Sequence, residues 1–214
     1  MKFLKPILFS AFVIGLSACG AKNANDAAQG AANIKAAGRS GTVNEAKYAS
    51  TCSPTPKIPA LGALVFLSSK TTYELSPVTF KKTVSYYSDQ GCTKESLLVS
   101  ESGKINVVNS PQPSEATQED FLFDKTSIKP IGDDTTKLLN LQNMCGFTSN
   151  EWVTGQERDV SSQAAGASCP GKPSPRTAQE LAIIKDGNLY LGGDTDKTQR
   201  PDQIDYSVQY TKEN

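Results

Sequence analysis

The chain carries five cysteines and no histidine, and this pairing decides which chemistry it can attempt. Without imidazole, the commonest general base and metal ligand is missing, and with it most Ser/His, Cys/His and zinc-site designs. Proton transfer would fall to carboxylates, Lys or Tyr, and no two acids are spaced as a convincing general acid and base. The thiols stand at Cys19, Cys52, Cys92, Cys145 and Cys169, none close enough to another for a CxxC redox or zinc motif. Gly192-Gly193-Asp194-Thr195-Asp196 has a faint calcium-loop look. It lacks the further acidic ligands and closing Glu, so we expect a solvated loop. Gly187 and Gly193 make no phosphate loop. Asp89, two residues before Gly91, reads as a turn residue rather than an acid catalyst. No catalytic residue, metal or cofactor is expected, and the reading is of a non-enzyme.

Cys19 is the thiol with a chemical assignment of its own. Lys2 and Lys5 precede an apolar stretch from Pro6 to Gly15, and small residues lead through Leu16-Ser17-Ala18 to Cys19. This is the layout of an export signal. Its end resembles the lipobox of bacterial lipoproteins, which implies cleavage after residues 1–18, diacylation of the Cys19 thiol and acylation of the new amine. Asn23, Asn25 and Asp26 interrupt the run before the ~20 apolar residues that a spanning helix needs. Each acyl CH₂ buried in a membrane contributes ~0.8 kcal/mol, so more than one chain makes a stable anchor. Gly20 follows where an Asp would favour inner-membrane retention, so the expected location is the outer membrane of a bacterial envelope.

Composition bounds what the anchor carries. Without the two lysines of residues 1–18, 20 basic residues face 22 acidic ones, which leaves no basic field for nucleic acid. Residues 19–51 are rich in Ala, Asn and Gly and read as a tether with a typical reach of about 30 Å. Residues 52–214 are the size of one domain. In an exported chain the four remaining cysteines are expected as disulfides, and three pairings are open. We expect Cys52 with Cys92 and Cys145 with Cys169, since local loops would then staple the start of the domain and one long excursion.

Strand patterns dominate that domain. Gly62 to Ser68 is a short apolar run. Val78, Phe80, Val84 and Tyr86 alternate with polar partners, with Lys82 interrupting the apolar side. Ser96 to Val99 and Lys104 to Val108 flank Ser100-Glu101-Ser102-Gly103, read as a hairpin loop. Phe121 to Phe123 marks another strand. Leu138, Leu139, Leu141 and Met144 fit a short helix with Asp133 or Asp134 as N-cap and Cys145-Gly146 near its end. Asp186-Gly187 joins Glu180–Lys185 to Asn188–Leu191 as a tight hairpin. Ile204, Tyr206, Val208 and Tyr210 form an alternating stripe against Asp205, Ser207, Gln209 and Thr211. The expected fold is mainly β, an antiparallel barrel or strongly curved sheet with one short helix, because closure removes exposed edges.

Val84-Ser85-Tyr86-Tyr87-Ser88-Asp89-Gln90-Gly91-Cys92, then Gly103, Cys145, Trp152, Gly155, Cys169, Glu180-Leu181, Leu189 to Gly192 and Arg200-Pro201 together resemble the adenomatosis polyposis coli down-regulated family. The resemblance implies an extracellular, disulfide-bonded, lipocalin-like barrel with an apolar cavity for lipid-type ligands. The animal members restrain Wnt signalling. That role is not carried over to a chain with one copy of the domain and a bacterial type of anchor.

The candidate ligand-contacting residues are Phe80, Val84, Tyr86, Trp152, Arg200, Tyr206 and Val208. Phe80, Val84, Tyr206 and Val208 are expected to point inward. Tyr86 and Tyr87 must face opposite ways, one to the interior and one to solvent. Trp152 stacks over a ligand or anchors the core. Arg200 meets a lipid headgroup or takes a structural role near Trp152. The leading expectation is a membrane-tethered barrel that binds a lipid or other apolar ligand. The alternative is a packed barrel serving as a structural or adaptor lipoprotein for an envelope protein partner.

Overall fold

The computed structural model describes residues 45–55, 66–108, 116–148, 150–163, 168–193 and 199–213. The signal, Cys19 and most of the tether lie outside them, as do Asp194 and Asp196.

β-Branched and aromatic residues alternate with polar ones through most of the described chain, and most such runs become strands. In order these are β1 (Ala46–Ser50), β2 (Ser53–Pro54), β3 (Ser68–Leu75), β4 (Thr79–Tyr87), β5 (Glu95–Val108) and β6 (Thr117–Pro130). An excursion follows with helix α1 (Asp133–Leu141), a 3₁₀ turn (Met144–Gly146) and β7 (Arg158–Asp159). Then come β8 (Arg176–Lys185), β9 (Asn188–Leu191) and β10 (Tyr210–Glu213). β1, β3, β4, β5, β6, β8, β9 and β10 each pair antiparallel with the next, and β10 pairs back onto β1. Among the described residues the result is a closed, up-and-down, eight-stranded antiparallel barrel of lipocalin-like form. The short β2 and β7 extend β3 and β6.

The closing strand β1 lies in the stretch read as tether. Tyr48, 3% exposed, pairs with Tyr73 of β3 on one side and Lys212 of β10 on the other, so the barrel begins before Cys52. One short strand with a single large apolar side chain is too weak a pattern to stand out beside Ala-rich sequence.

Ser100-Glu101-Ser102-Gly103 is not a turn. It runs through the middle of β5, with a register shift between Ser102 and Gly103 against β6. Gly103 is needed because the strands approach closely there: a Cβ would lie 1.8 Å from the Leu122 carbonyl oxygen. The stripe from Ile204 to Val208 is no strand either. The Asp205 carboxylate accepts hydrogen bonds from the Ser207 amide (2.9 Å) and hydroxyl (2.6 Å), closing a turn, and β10 starts only at Tyr210. The Asp186-Gly187 hairpin is as expected, with φ of 52° and 76°.

Helix α1 begins after Gly132, with Asp133 and Asp134 in its first turn rather than at the cap. Acidic residues there face the positive end of the helix. Both disulfides match the expected pairing, Cys52–Cys92 and Cys145–Cys169. Asp89 is the turn residue of the β4–β5 connection. Its carboxylate accepts from the amides of Gly91, Thr93 and Lys94 and from the Thr93 hydroxyl, which hold its pKa down to about 2.

Candidate functional site

The alternation that closes the barrel also sorts its interior. Two apolar clusters fill it. The first lies among the barrel strands and contains Tyr73, Leu75, Phe80, Ile105, Phe121, Phe123, Leu189 and Leu191. Phe80 meets Phe121 and Phe123 edge to face, each at 4.8 Å between centroids. These three rings are 1 to 3% exposed and pack closely on one another.

The second cluster sits where β5 and β6 run on past the shorter strands. Leu97, Val99 and Ile128 are covered by Leu139, Met144, Trp152, Val160 and the Cys145–Cys169 disulfide of the excursion. Trp152 donates from Nε1 to the Met144 carbonyl at 3.4 Å and meets Phe147 edge to face at 5.3 Å. It is therefore a core anchor. The cation stacked near it is Arg158, 4.1 Å from the Phe147 centroid, and not Arg200.

Between the clusters the inner wall turns polar. In β4 the inward positions after Phe80 are Lys82, Val84 and Tyr86, which pair in register with Glu101, Val99 and Leu97 of β5. Glu101 in turn pairs with Thr126 of β6, and Arg176 at the start of β8 pairs with Phe123. Arg176 donates from Nη2 to Glu101 Oε1 at 2.6 Å, and its guanidinium lies 3.5 Å from the Phe123 centroid. Lys82 Nζ stands 3.9 Å from Glu101 Oε2, a charge contact too long for a hydrogen bond. Thr126 donates to the Lys172 carbonyl at 2.8 Å and exchanges a 3.0 Å bond with Ser174. Ser50 accepts from the Thr71 amide at 2.9 Å. A polar belt thus crosses the interior between two apolar cores.

The belt is less completely buried than the two clusters. The side chains of Lys82, Glu101 and Arg176 are 10 to 17% exposed, and Ser69, Thr71, Val84 and Tyr86 on the inner wall of β3 and β4 are only half-buried. Burial pushes the Tyr86 phenol up to about 12, with Lys82 pulling the other way. Burial likewise raises the pKa of Tyr210, whose ring packs edge to face on Tyr73 at 5.0 Å. Both phenols stay protonated at neutral pH and can donate hydrogen bonds, but neither is poised as a base.

Of the residues singled out from sequence, the structure brings Phe80, Val84 and Tyr86 to one inner wall. Trp152 lies in the second core. Tyr206 and Val208 are 56% and 42% exposed, with Tyr206 stacked on Tyr190 at 5.2 Å, so they do not point inward. Tyr87 faces away from Tyr86 but is 9% exposed, and solvent does not reach most of it. Arg200 clamps the seam between β6 and β8: Nη1 donates to the carbonyls of Glu119 and Glu180, and Nη2 pairs with Asp120 at 2.5 Å. Lys82, Glu101 and Arg176 were not singled out. The break that Lys82 makes in the apolar side of β4 was the visible signal for one of them.

Among the described residues no group of three or more His, Cys, Asp or Glu could hold a metal ion, and no helix is long and apolar enough to cross a membrane. Two open grooves are present, one of about 460 Å³ at the β3–β4 end, lined by Glu45, Lys47, Leu75 and Phe80 among others, the other of about 350 Å³ beside Phe66 and the start of α1. No protein-family model matches the chain, and no curated protein matches it at a significant level.

Proposed function

We propose that the chain is a lipid-anchored protein of the bacterial envelope, held at the outer membrane by Cys19, whose barrel is a non-catalytic binding module for a lipid or other apolar ligand. The observation that carries this reading is the unequal filling of the barrel. Phe80, Phe121 and Phe123 close one part, while Thr71, Val84 and Tyr86 keep accessible surface on the inner wall beside a charged cluster. An apolar chain laid along that wall gains ~0.8 kcal/mol for each methylene removed from water, and a few polar groups at its end would set its orientation. The chemistry of the interior favours holding over reacting. No imidazole is available, the four paired thiols are disulfides, and the buried phenols are protonated. The short motifs shared with a lipocalin-like family that takes lipid-type ligands support the same reading.

A second reading is favoured by the aromatic plug itself: a barrel packed by its own side chains, acting as an adaptor for an envelope protein partner. Titration of the purified protein with a fluorescent fatty acid separates the two. We expect saturable binding, and a Val84→Trp variant that stays folded by circular dichroism should weaken it by about tenfold or more, since the indole would fill the wall position. Unchanged affinity in folded Val84→Trp would count against this wall as the site. Absence of binding in the parent protein would favour the adaptor.

A further inference from the structure

We propose that the groove between the start of α1 and the β4–β5 turn binds a neutral polyhydroxy group, the sugar ring of a free saccharide or of a glycolipid headgroup. The assignment does not depend on the inner wall of the barrel taking an apolar ligand.

Three parts of the chain frame the groove. Ser88 and Glu95 stand at the two ends of the β4–β5 turn, Phe66 lies just before β3, and Gly132 to Leu138 supply the start of α1, around a volume of about 350 Å³. That is the lower end of the range for small-molecule sites. The Ser96 carbonyl fastens the helix start to the turn, accepting from the amides of Ile131 at 2.9 Å and Gly132 at 3.3 Å. Gly132 caps α1 without a side chain, and no side-chain cap hydrogen bond forms there, so the amides of the first turn point outward unanswered. Most helix starts are simply solvated. This one differs in Thr135, which is only 7% exposed, lines the groove, and makes no hydrogen bond through its hydroxyl among the described residues. A buried hydroxyl left without a partner costs stability, and a ligand in the groove would supply the partner.

Acceptors stand beside these donors. The Glu95 carboxylate has no partner among the described residues. Asp133 Oδ1 accepts from the Thr154 hydroxyl at 2.7 Å and Asp134 Oδ1 meets Lys137 at 3.4 Å, each leaving its other oxygen for a ligand. No lysine or arginine is among the described residues that line the groove. An anion would therefore meet three carboxylates. A cation would accept nothing from the helix amides and would face the positive end of the dipole. A hydroxyl both donates and accepts, so several on one ring satisfy the carboxylates and the amides together. Phe66 and Leu138 give the C–H face of such a ring an apolar surface. The Phe66 ring also lies 5.2 Å from that of Tyr86 on the inner wall, the direction in which the acyl part of a glycolipid would continue.

Amide chemical shifts of the purified protein, followed by NMR during titration with the methyl glycosides of glucose, galactose, mannose and N-acetylglucosamine, test the site. Butylammonium and acetate are the charged controls. We expect at least one glycoside to move the amides of Asp133, Asp134 and Thr135 saturably at millimolar concentration, and to do so at lower concentration than either control. Thr135→Val should weaken that glycoside about fivefold, the loss of one hydrogen bond, while leaving Tm unchanged or raised, because the hydroxyl has no partner to lose. Glu95→Ala, at an exposed strand end, should weaken it to a similar extent. The octyl glycoside of the same sugar, below its micellar concentration, identifies the source: tenfold tighter binding than the methyl form points to a glycolipid, and equal binding to a free saccharide. No shift with any glycoside, tighter binding of butylammonium or acetate, or glycoside affinity unchanged in both variants overturns the site. None of these results bears on fatty-acid binding at Val84, so the two readings fail separately.

Discussion

Gly103→Ala is expected to destabilise the barrel by about 3 kcal/mol or more, at the upper end of what overpacking costs, and to lower Tm by roughly 10 °C. The added Cβ would stand 1.8 Å from the Leu122 carbonyl oxygen, 2.9 Å from its carbon and 3.0 Å from the Asp124 amide nitrogen. All three are backbone atoms, so no side-chain rotation relieves the clash. The strands β5 and β6 would have to part at the register shift that carries Gly103 opposite Phe123. Their parting would disturb the aromatic plug and move Glu101, two residues away on the same wall. Gly187→Ala is the control. Its φ of 76° is unfavourable for alanine, yet nothing lies within 4 Å of the new Cβ, so about 1 kcal/mol is expected. Urea unfolding of both variants checks the contrast. Equal stability would mean that β5 and β6 are not in close contact at Gly103.

Removing the Cys145–Cys169 disulfide by a paired Cys→Ala substitution should cost about 3 to 4 kcal/mol, from the loop-closure entropy returned to the unfolded chain. The sequence separation is 24 residues, and both sulfurs are buried, in residues 3% and 5% exposed. The bridge ties the 3₁₀ turn to the far side of the excursion, and with Leu139, Met144 and Trp152 it covers Leu97, Val99 and Ile128. Its loss therefore loosens the lid of the second core as well as the unfolded-state constraint. We expect a lower urea midpoint and faster exchange of the Trp152 amide, which is held at 2.9 Å by Asn140 Oδ1. A variant unfolding at the parent midpoint would show that the excursion is held by its packing alone. The Cys52–Cys92 bridge differs in kind, because Cys52 is exposed and the bond fastens a loop beside the β4–β5 turn.

The barrel was legible in the alternation of β4 and in the Asp186-Gly187 turn because both depend on neighbours in sequence. The disulfide pairing was legible for the same reason, since it closes two local loops. What escaped was set by partners far along the chain. Glu101 looked like a loop residue until Arg176, 75 positions later, met it inside the barrel. Gly103 looked like a turn glycine, while its need for no Cβ comes from Leu122 on the next strand. The stripe Ile204, Tyr206 and Val208 had strand periodicity, yet the hydrogen bonds that Asp205 accepts from Ser207 bend the chain before any partner strand can use it. Periodicity reports a local preference, and a buried charged cluster built from three strands leaves almost no local trace beyond the break at Lys82.

Native mass spectrometry of the protein purified from an envelope fraction, with extraction and identification of any lipid it carries, tests the central claim most directly. Our account predicts one copurifying lipid or other apolar ligand per chain, lost or diminished in folded Val84→Trp. A single apo mass from the same preparation, unchanged on adding dodecanoate, would contradict it and leave the solid, partner-binding barrel as the reading to pursue.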